Sequence, residues 1–267
     1  MTQTWLDPTP AATGRISASP VLDETGNTPD IALRDNEPCL CGSGDPFEVC
    51  CASRESPRKP PYGVFVFENY LDADSAREWI EYAEQCRRQR LLVIDQNAST
   101  PDNIVKVEDS RRVAERVDLG TRHAQLNELV AKAYVDLADR CFGRSLDWYE
   151  TPELMRYSPG GFYVKHADSQ NFNPSTQSWT KVIDRDLSLL IYLNDDFEGG
   201  ALHFNRFNYR LQPKAGMAVI FPSDSRYVHT AETVTRGTRY AVVSWASVRG
   251  VPKIAAKPPV PAIFLDR

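Results

Sequence analysis

From residue 150 onward the chain is a succession of short apolar runs broken at close intervals by turn residues, and few folds accommodate that texture. Candidate strands cover 153–157, 162–166, 187–193, 201–207, 217–222, 226–234 and 239–247. The separators SPGG, NDDFEGG, PKAG and TRG supply the Gly, Pro, Asn and Asp that reverse a chain. No internal repeat is visible. Many short strands of this kind suggest an antiparallel β-sandwich, such as a double-stranded jelly roll.

The segment before residue 150 supplies helices to cover such a sandwich. YGVFVFENYL (62–71) is a β-branched and aromatic run, and Asp72 then precedes Ala76, Trp79, Ile80 and Ala83 at helical spacing. A second helix is expected over 121–141, where Leu126, Leu129, Val130, Ala133, Tyr134 and Leu137 share one face and Gly143 lies just past the end. The expected fold class is mainly β with buttressing helices.

With 267 residues, 42% of them hydrophobic, the chain has enough apolar side chain for one substantial core and a small appendage. Residues 1–35, rich in Thr, Pro, Ala, Asp and Ser, show no sustained apolar period and are expected to form a flexible arm. SPRKPP (56–61) is a stiff linker, because proline blocks both helix and ladder, so the main domain is expected over 62–267. Lys plus Arg total 31 against 36 Asp plus Glu, a net charge of -5, which argues against direct nucleic-acid binding. No apolar stretch is long enough for a membrane helix and no signal-peptide pattern opens the chain, so a soluble cytoplasmic protein without membrane insertion is expected.

The chemistry starts at His166-Ala-Asp168, because alternate residues of a strand lie on one face and can reach one metal ion. Alone this pair is a weak pattern and more often a surface feature. His229, after the turn FPSDS, offers a third ligand. Two imidazoles and a carboxylate with open positions form the facial arrangement of non-haem iron(II) oxygenases. Arg239, ten positions later, could pair with a carboxylate in an apolar barrel, or could be an ordinary surface charge. His203 and His123 are competing imidazoles, read as structural and solvated respectively.

Residues 150–247 resemble the 2-oxoglutarate and iron(II)-dependent oxygenase superfamily, in its prolyl 4-hydroxylase-like branch. The resemblance is carried by LMRYSPGGFYVKHAD, RDLSLLIYLNDDFEGGALHF and PKAGMAVIFPSDSRYVHTAETVTRGTRYAVVSW, in that order. It implies that His166, Asp168 and His229 bind iron and that Arg239 binds the distal carboxylate of 2-oxoglutarate. It further implies that Tyr157 and Tyr192 hydrogen-bond this cosubstrate and that Trp245 lines the pocket, although packing is an equally good account of each aromatic. Fe(II), 2-oxoglutarate, O2 and ascorbate are the cofactors and cosubstrates so implied. The implied reaction couples decarboxylation of 2-oxoglutarate to succinate and CO2 with hydroxylation of an unactivated C–H bond. The loop 169–180 is a candidate rim or lid. Arg111 and Arg112 are candidates for substrate contact, set against a solvated reading.

Cys39, Cys41, Cys50 and Cys51 crowd into one short segment, and four thiolates close a tetrahedral zinc site with no position left for catalysis. EPCLCGSGDPFEVCC resembles the SEC-C zinc motif, C-x-C-x8-C-[HC], but Asp45 and Glu48 make this copy acidic where lysines are common. A small N-terminal zinc module over 36–55 is therefore expected, with Zn(II) as a second metal. Cys86 and Cys141 read as apolar helix residues. These expectations favour a peptidyl, prolyl-type hydroxylase acting on a protein, with a partner linked to translation or secretion recruited by the zinc module. Hydroxylation of a free amino acid or other small molecule is the alternative within enzymes, and a non-catalytic binding module is the alternative outside them.

Overall fold

The computed structural model describes residues 45–49, 60–61, 63–94, 106–108, 111–173, 175–258 and 261–265. The expected arm 1–35, Cys39, Cys41, Cys50 and Cys51 of the zinc module, and most of the linker 56–61 lie outside the described residues.

A nine-stranded antiparallel sheet forms the larger layer. Its continuous path runs Phe65–Phe67, Ala218–Pro222, Leu187–Tyr192, Arg239–Val248, Glu153–Tyr157, Glu115–Val117 and Arg88–Arg90. Leu146–Glu150 pairs with the far end of Arg239–Val248 and carries Ala262–Phe264 on its other edge. The smaller layer has five strands in the order Tyr209–Leu211, Leu202–Phe204, His229–Ala231, Phe162–His166 and Arg112–Val113. Both layers are built from antiparallel pairs between segments far apart in sequence.

Period-two alternation decides what each strand of the large sheet shows to each side. In Leu187–Tyr192, Leu187, Leu189 and Ile191 pack in a core shared with the two helices, whereas Leu190 and Tyr192 pack among residues of the small sheet. Arg239–Val248 divides in the same way: Tyr240, Val242, Ala246 and Val248 face the helices, and Ala241 packs with the inter-sheet cluster. The domain is thus a β-sandwich with helices on the outer face of one sheet.

Helix α1 (Ala73–Gln85) starts where Asp72 accepts from the Ser75 backbone N–H at 2.8 Å and from its hydroxyl, which satisfies a donor the helix leaves open. Helix α2 (His123–Phe142) ends at Gly143, whose φ of 60° is the left-handed conformation that glycine adopts most readily. Leu126, Val130, Ala133, Tyr134 and Leu137 of α2 are buried in the core, as the spacing predicts, and Phe142 meets Phe65 edge-on at 5.2 Å. Cys86 and Cys141 are half-buried thiols packed against this core.

Several local expectations are corrected. The run 201–207 is strand only over Leu202–Phe204; a 3-10 turn at Asn205–Phe207 follows and closes on Asn208 at a φ of 48°. The run 226–234 contains the end of the 3-10 turn Ser225–Tyr227, then His229–Ala231, and a new strand starting at Val234, because Asp224 caps the Arg226 N–H and holds the turn. Residues 169–180 are no irregular loop. Gln170–Asn173 and Ser178–Lys181 form an antiparallel hairpin in which Phe172 lies opposite Trp179, with ring centroids 5.4 Å apart.

Candidate active site

The opposed sheets leave a cavity between them. His166 ends the strand Phe162–His166, and His229 begins the neighbouring strand directly opposite it in register. Asp168 lies two residues past His166. Among the described residues, His166, Asp168 and His229 present ligand atoms that all lie within 4.8 Å of one another. The Nε2 of His166 is 3.5 Å from Asp168 Oδ1, and that of His229 is 3.7 Å from Asp168 Oδ2.

Neighbouring groups orient all three. The Nδ1 atoms of His166 and His229 lie 2.8 Å and 3.0 Å from the carbonyl oxygens of Val164 and Tyr227, which fixes Nδ1 as the N–H donor and leaves both Nε2 lone pairs for a metal. Ser188 Oγ donates to Asp168 Oδ2 at 2.7 Å and is itself 2.7 Å from Ser223 Oγ. The His166 ring stacks on Tyr163 at 3.6 Å, and the His229 ring meets Phe221 edge-on at 5.0 Å. Burial, helped by the adjacent His166, pushes the His229 imidazole down to about 4, so it is neutral near pH 7, as a ligand must be. Burial alone would raise the Asp168 carboxyl; the two imidazoles and the Ser188 hydroxyl outweigh it and hold the group far below the usual carboxylate range.

The opposite wall comes from the large sheet. Arg239 is buried, its Nη1 donates to the Gly200 carbonyl at 2.7 Å, and its guanidinium lies 4.0 Å from the centre of the Tyr157 ring, its cross-strand partner. Gly200 presents that carbonyl at a φ of 63°, and a Cβ there would stand 2.9 Å from the Phe197 ring. Two polar atoms of this wall, Arg239 Nε and the Tyr192 hydroxyl, are buried without a hydrogen-bond partner. Burial raises the Tyr192 phenol to about 12, against the opposing pull of Arg239. A buried guanidinium and a phenol with unused donors fit a carboxylate. Trp245 also lines the cavity and carries the Arg185 guanidinium 3.7 Å from its ring centre. Arg185 in turn is held by Glu150 through two contacts of 2.6 Å.

The cavity therefore gathers His166, Asp168, His229, Arg239, Tyr157, Tyr192 and Trp245, which span nearly ninety residues of sequence. Residues 152–247 match the family model described as the 2OG-Fe(II) oxygenase superfamily. This segment is a 2OG-Fe(II) oxygenase domain.

Prolyl hydroxylases are among the sequence relatives of this chain. The chain is 42% identical over 66 residues to prolyl 3-hydroxylase 1 of Gallus gallus, a match covering 23% of this chain and 9% of that protein. A PKHD-type hydroxylase of Sphingopyxis alaskensis is 36% identical over 99 residues, covering 35% of this chain and 42% of that protein. The matches thus span about a tenth of the animal relative and under half of the bacterial one. In fold, the oxygenase domain is similar to a Pseudomonas putida prolyl-4-hydroxylase (23% identity, TM-score 0.50, 70% of this chain and 94% of that one). It is also similar to a Trichoplax adhaerens prolyl hydroxylase solved with a hypoxia inducible factor peptide fragment (19% identity, TM-score 0.51, 69% and 83%). The sandwich is accordingly the jelly-roll core of these oxygenases. Residues 36–53 match the SEC-C motif.

Other sequence candidates lie elsewhere. His203 contacts Asn205 and Glu232 outside the cavity, as a structural residue would. His123 is half-buried at the start of α2 with its Nε2 enclosed, rather than solvated. Arg111 is exposed, but Arg112 lines the cavity, contrary to the solvated reading. Ser188 and Ser223 were not expected at the site; a hydroxyl at an otherwise apolar strand position was the available signal for Ser188.

Proposed function

We propose that this chain is a 2-oxoglutarate- and Fe(II)-dependent hydroxylase whose target is a prolyl-type residue in a protein. The reading rests on one observation: across a single cavity, a His-Asp-His cluster faces a buried arginine and a phenol with unused hydrogen-bonding capacity. One wall suits a divalent metal with open coordination positions, and the other suits the far carboxylate of a dicarboxylate.

In this reading His166, Asp168 and His229 hold iron, and Arg239 with Tyr192 holds the distal carboxylate of 2-oxoglutarate while Tyr157 packs on the guanidinium. Iron bound there supplies dioxygen activation coupled to decarboxylation of the cosubstrate, with ascorbate as accessory reductant. The chain's own work is positional. Val164 and Tyr227 carbonyls keep both imidazoles in the metal-binding tautomer, Ser188 fixes the Asp168 carboxylate, and Trp245 lines the cavity that the three candidate ligands share. The apolar inter-sheet packing keeps water from the reacting carbon.

The four cysteines Cys39, Cys41, Cys50 and Cys51 would hold Zn(II), and the module they staple would recruit a protein partner linked to translation or secretion. None of the helices among the described residues is long and apolar enough to cross a membrane; a cytoplasmic site of action belongs to the same proposal. Incubation with Fe(II), 2-oxoglutarate and proline-containing peptides should give succinate and a peptide gaining one oxygen atom. Substrate-independent succinate formation across a broad peptide panel would refute it.

A further inference from the structure

A second groove opens on the other side of Arg112. It is lined by Arg90, Arg112, Glu115 and Arg156 together with the Ser158–Pro159 turn and Gly161. Three arginines stand against one glutamate, in a chain whose net charge is -5. Arg156 is already committed, with Nη1 2.7 Å from Glu115 Oε2 and Nε 2.9 Å from the Tyr240 hydroxyl, so the lining's one carboxylate is spoken for.

Arg112 is placed differently. It lines both this groove and the catalytic cavity. Its guanidinium lies 4.7 Å from the centre of the Tyr163 ring, its cross-strand partner, and Tyr163 stacks on His166. Its Nη2 meets the Met155 sulfur at 3.8 Å, a weak acceptor, its guanidinium also hydrogen-bonds the Tyr157 phenol, and its Nε is buried without a partner. Among the described residues Arg112 makes no ion pair. Glu153 lies near enough to favour its charge, and the enclosed Nε is a donor that an anion in the groove would complete. The ring ladder sets that unpaired donor one side chain, Tyr163, away from the candidate ligand His166, at the junction between the groove and the cavity.

We propose that the groove selects peptides carrying an Asp or Glu close to the target residue, with that carboxylate pairing with Arg112. This rests on the reading of the chain as a peptidyl hydroxylase and names its substrate class. Arg112 is then a specificity-determining residue that touches the substrate. Arg90 lines the same groove.

The test uses the full chain and fluorescent proline-containing peptides matched except for an acidic, amide or basic flank. Anisotropy measures binding and mass spectrometry of the same samples measures oxidation. Acid-flanked peptides should bind about tenfold or more tighter than amide-flanked ones, as expected for one charge-assisted contact, with the advantage falling as salt rises. Arg112→Gln should erase that preference, and Arg112→Glu should transfer it to the basic flank. Equal binding across flanks in the wild-type protein overturns the proposal whether or not the variants fold. Oxidation without flank preference overturns the groove assignment and retains the hydroxylase reading. Flank-selective binding without oxidation of any peptide does the reverse, and neither signal overturns both.

Discussion

Replacing Arg239 with methionine separates a cosubstrate anchor from a structural arginine. Arg239 is buried, its Nη1 donates to the Gly200 carbonyl, and its Nε is unpartnered. It makes no ion pair among the described residues, so removing its charge breaks no salt bridge. Methionine keeps the length of the stem and adds no polar atom. Without cosubstrate, the variant should therefore unfold within a few degrees of the parent. With cosubstrate the two should part. Truncating one partner of a buried charge pair costs about 2–5 kcal/mol, or roughly thirtyfold to a few thousandfold in affinity. At a 2-oxoglutarate concentration of a hundred times the parent Kd, ligand binding adds about 2.7 kcal/mol, which for a domain of this size raises Tm by about 5–10 °C. At the same concentration, a thirtyfold weaker variant gains about 0.9 kcal/mol at most, or about 2–3 °C. The assay is thermal unfolding of Fe(II)-loaded protein under anaerobic conditions, with and without 2-oxoglutarate. Equal stabilisation of both proteins would refute the assignment of Arg239, and a large loss of Tm without cosubstrate would show it to be a structural residue.

Replacing His166 with alanine should abolish Fe(II) binding, measured by anaerobic titration, while the fold persists by circular dichroism; surviving 2-oxoglutarate turnover would disprove the ligand assignment. Tyr192→Phe removes an unpartnered buried hydroxyl, so stability without cosubstrate should hold or rise by about 1 kcal/mol, while 2-oxoglutarate affinity falls about 2- to 12-fold by calorimetry. Lys181 is buried between Asp184 at 3.2 Å and Asp186 at 3.1 Å, at the base of the hairpin that follows Asp168. Lys181→Met should leave these carboxylates short of a cation, cost about 3–5 kcal/mol and lower Tm by roughly 6–20 °C, and a change under 2 °C would contradict this. Metal analysis of the full chain should find one zinc retained after iron is chelated away, and Cys50→Ser with Cys51→Ser should lose it.

What the sequence made legible follows from where information is local. His166 and Asp168 are two apart, and the turns around Gly200 and Gly237 mark the strand ends, so the order of strands and ligands could be read directly. Asp72 and Gly143 marked helix ends because caps depend on single residues. Arg112 could be read only as a weak candidate beside Arg111, since its place at the site comes from pairing with Tyr163, a partner about fifty residues away, and nothing in SRRVAER encodes that register. Ser188 and Ser223 meet only because Leu187–Tyr192 and Ala218–Pro222 pair across the large sheet. The hairpin after Asp168 looked like a loop because Asn, Ser, Thr and Gln dominate it; its Phe172 and Trp179 face each other across a turn, without the apolar alternation that marks a half-buried strand.

The central claim is that this cavity splits dioxygen between 2-oxoglutarate and a C–H bond. Turnover of an oxidised peptide under isotopically labelled dioxygen tests it most directly. The account predicts one labelled atom in succinate and one in the peptide hydroxyl, in equal amounts, with both signals lost in the His166→Ala variant. A hydroxyl labelled only from solvent water, or a labelled peptide formed without succinate, would contradict it.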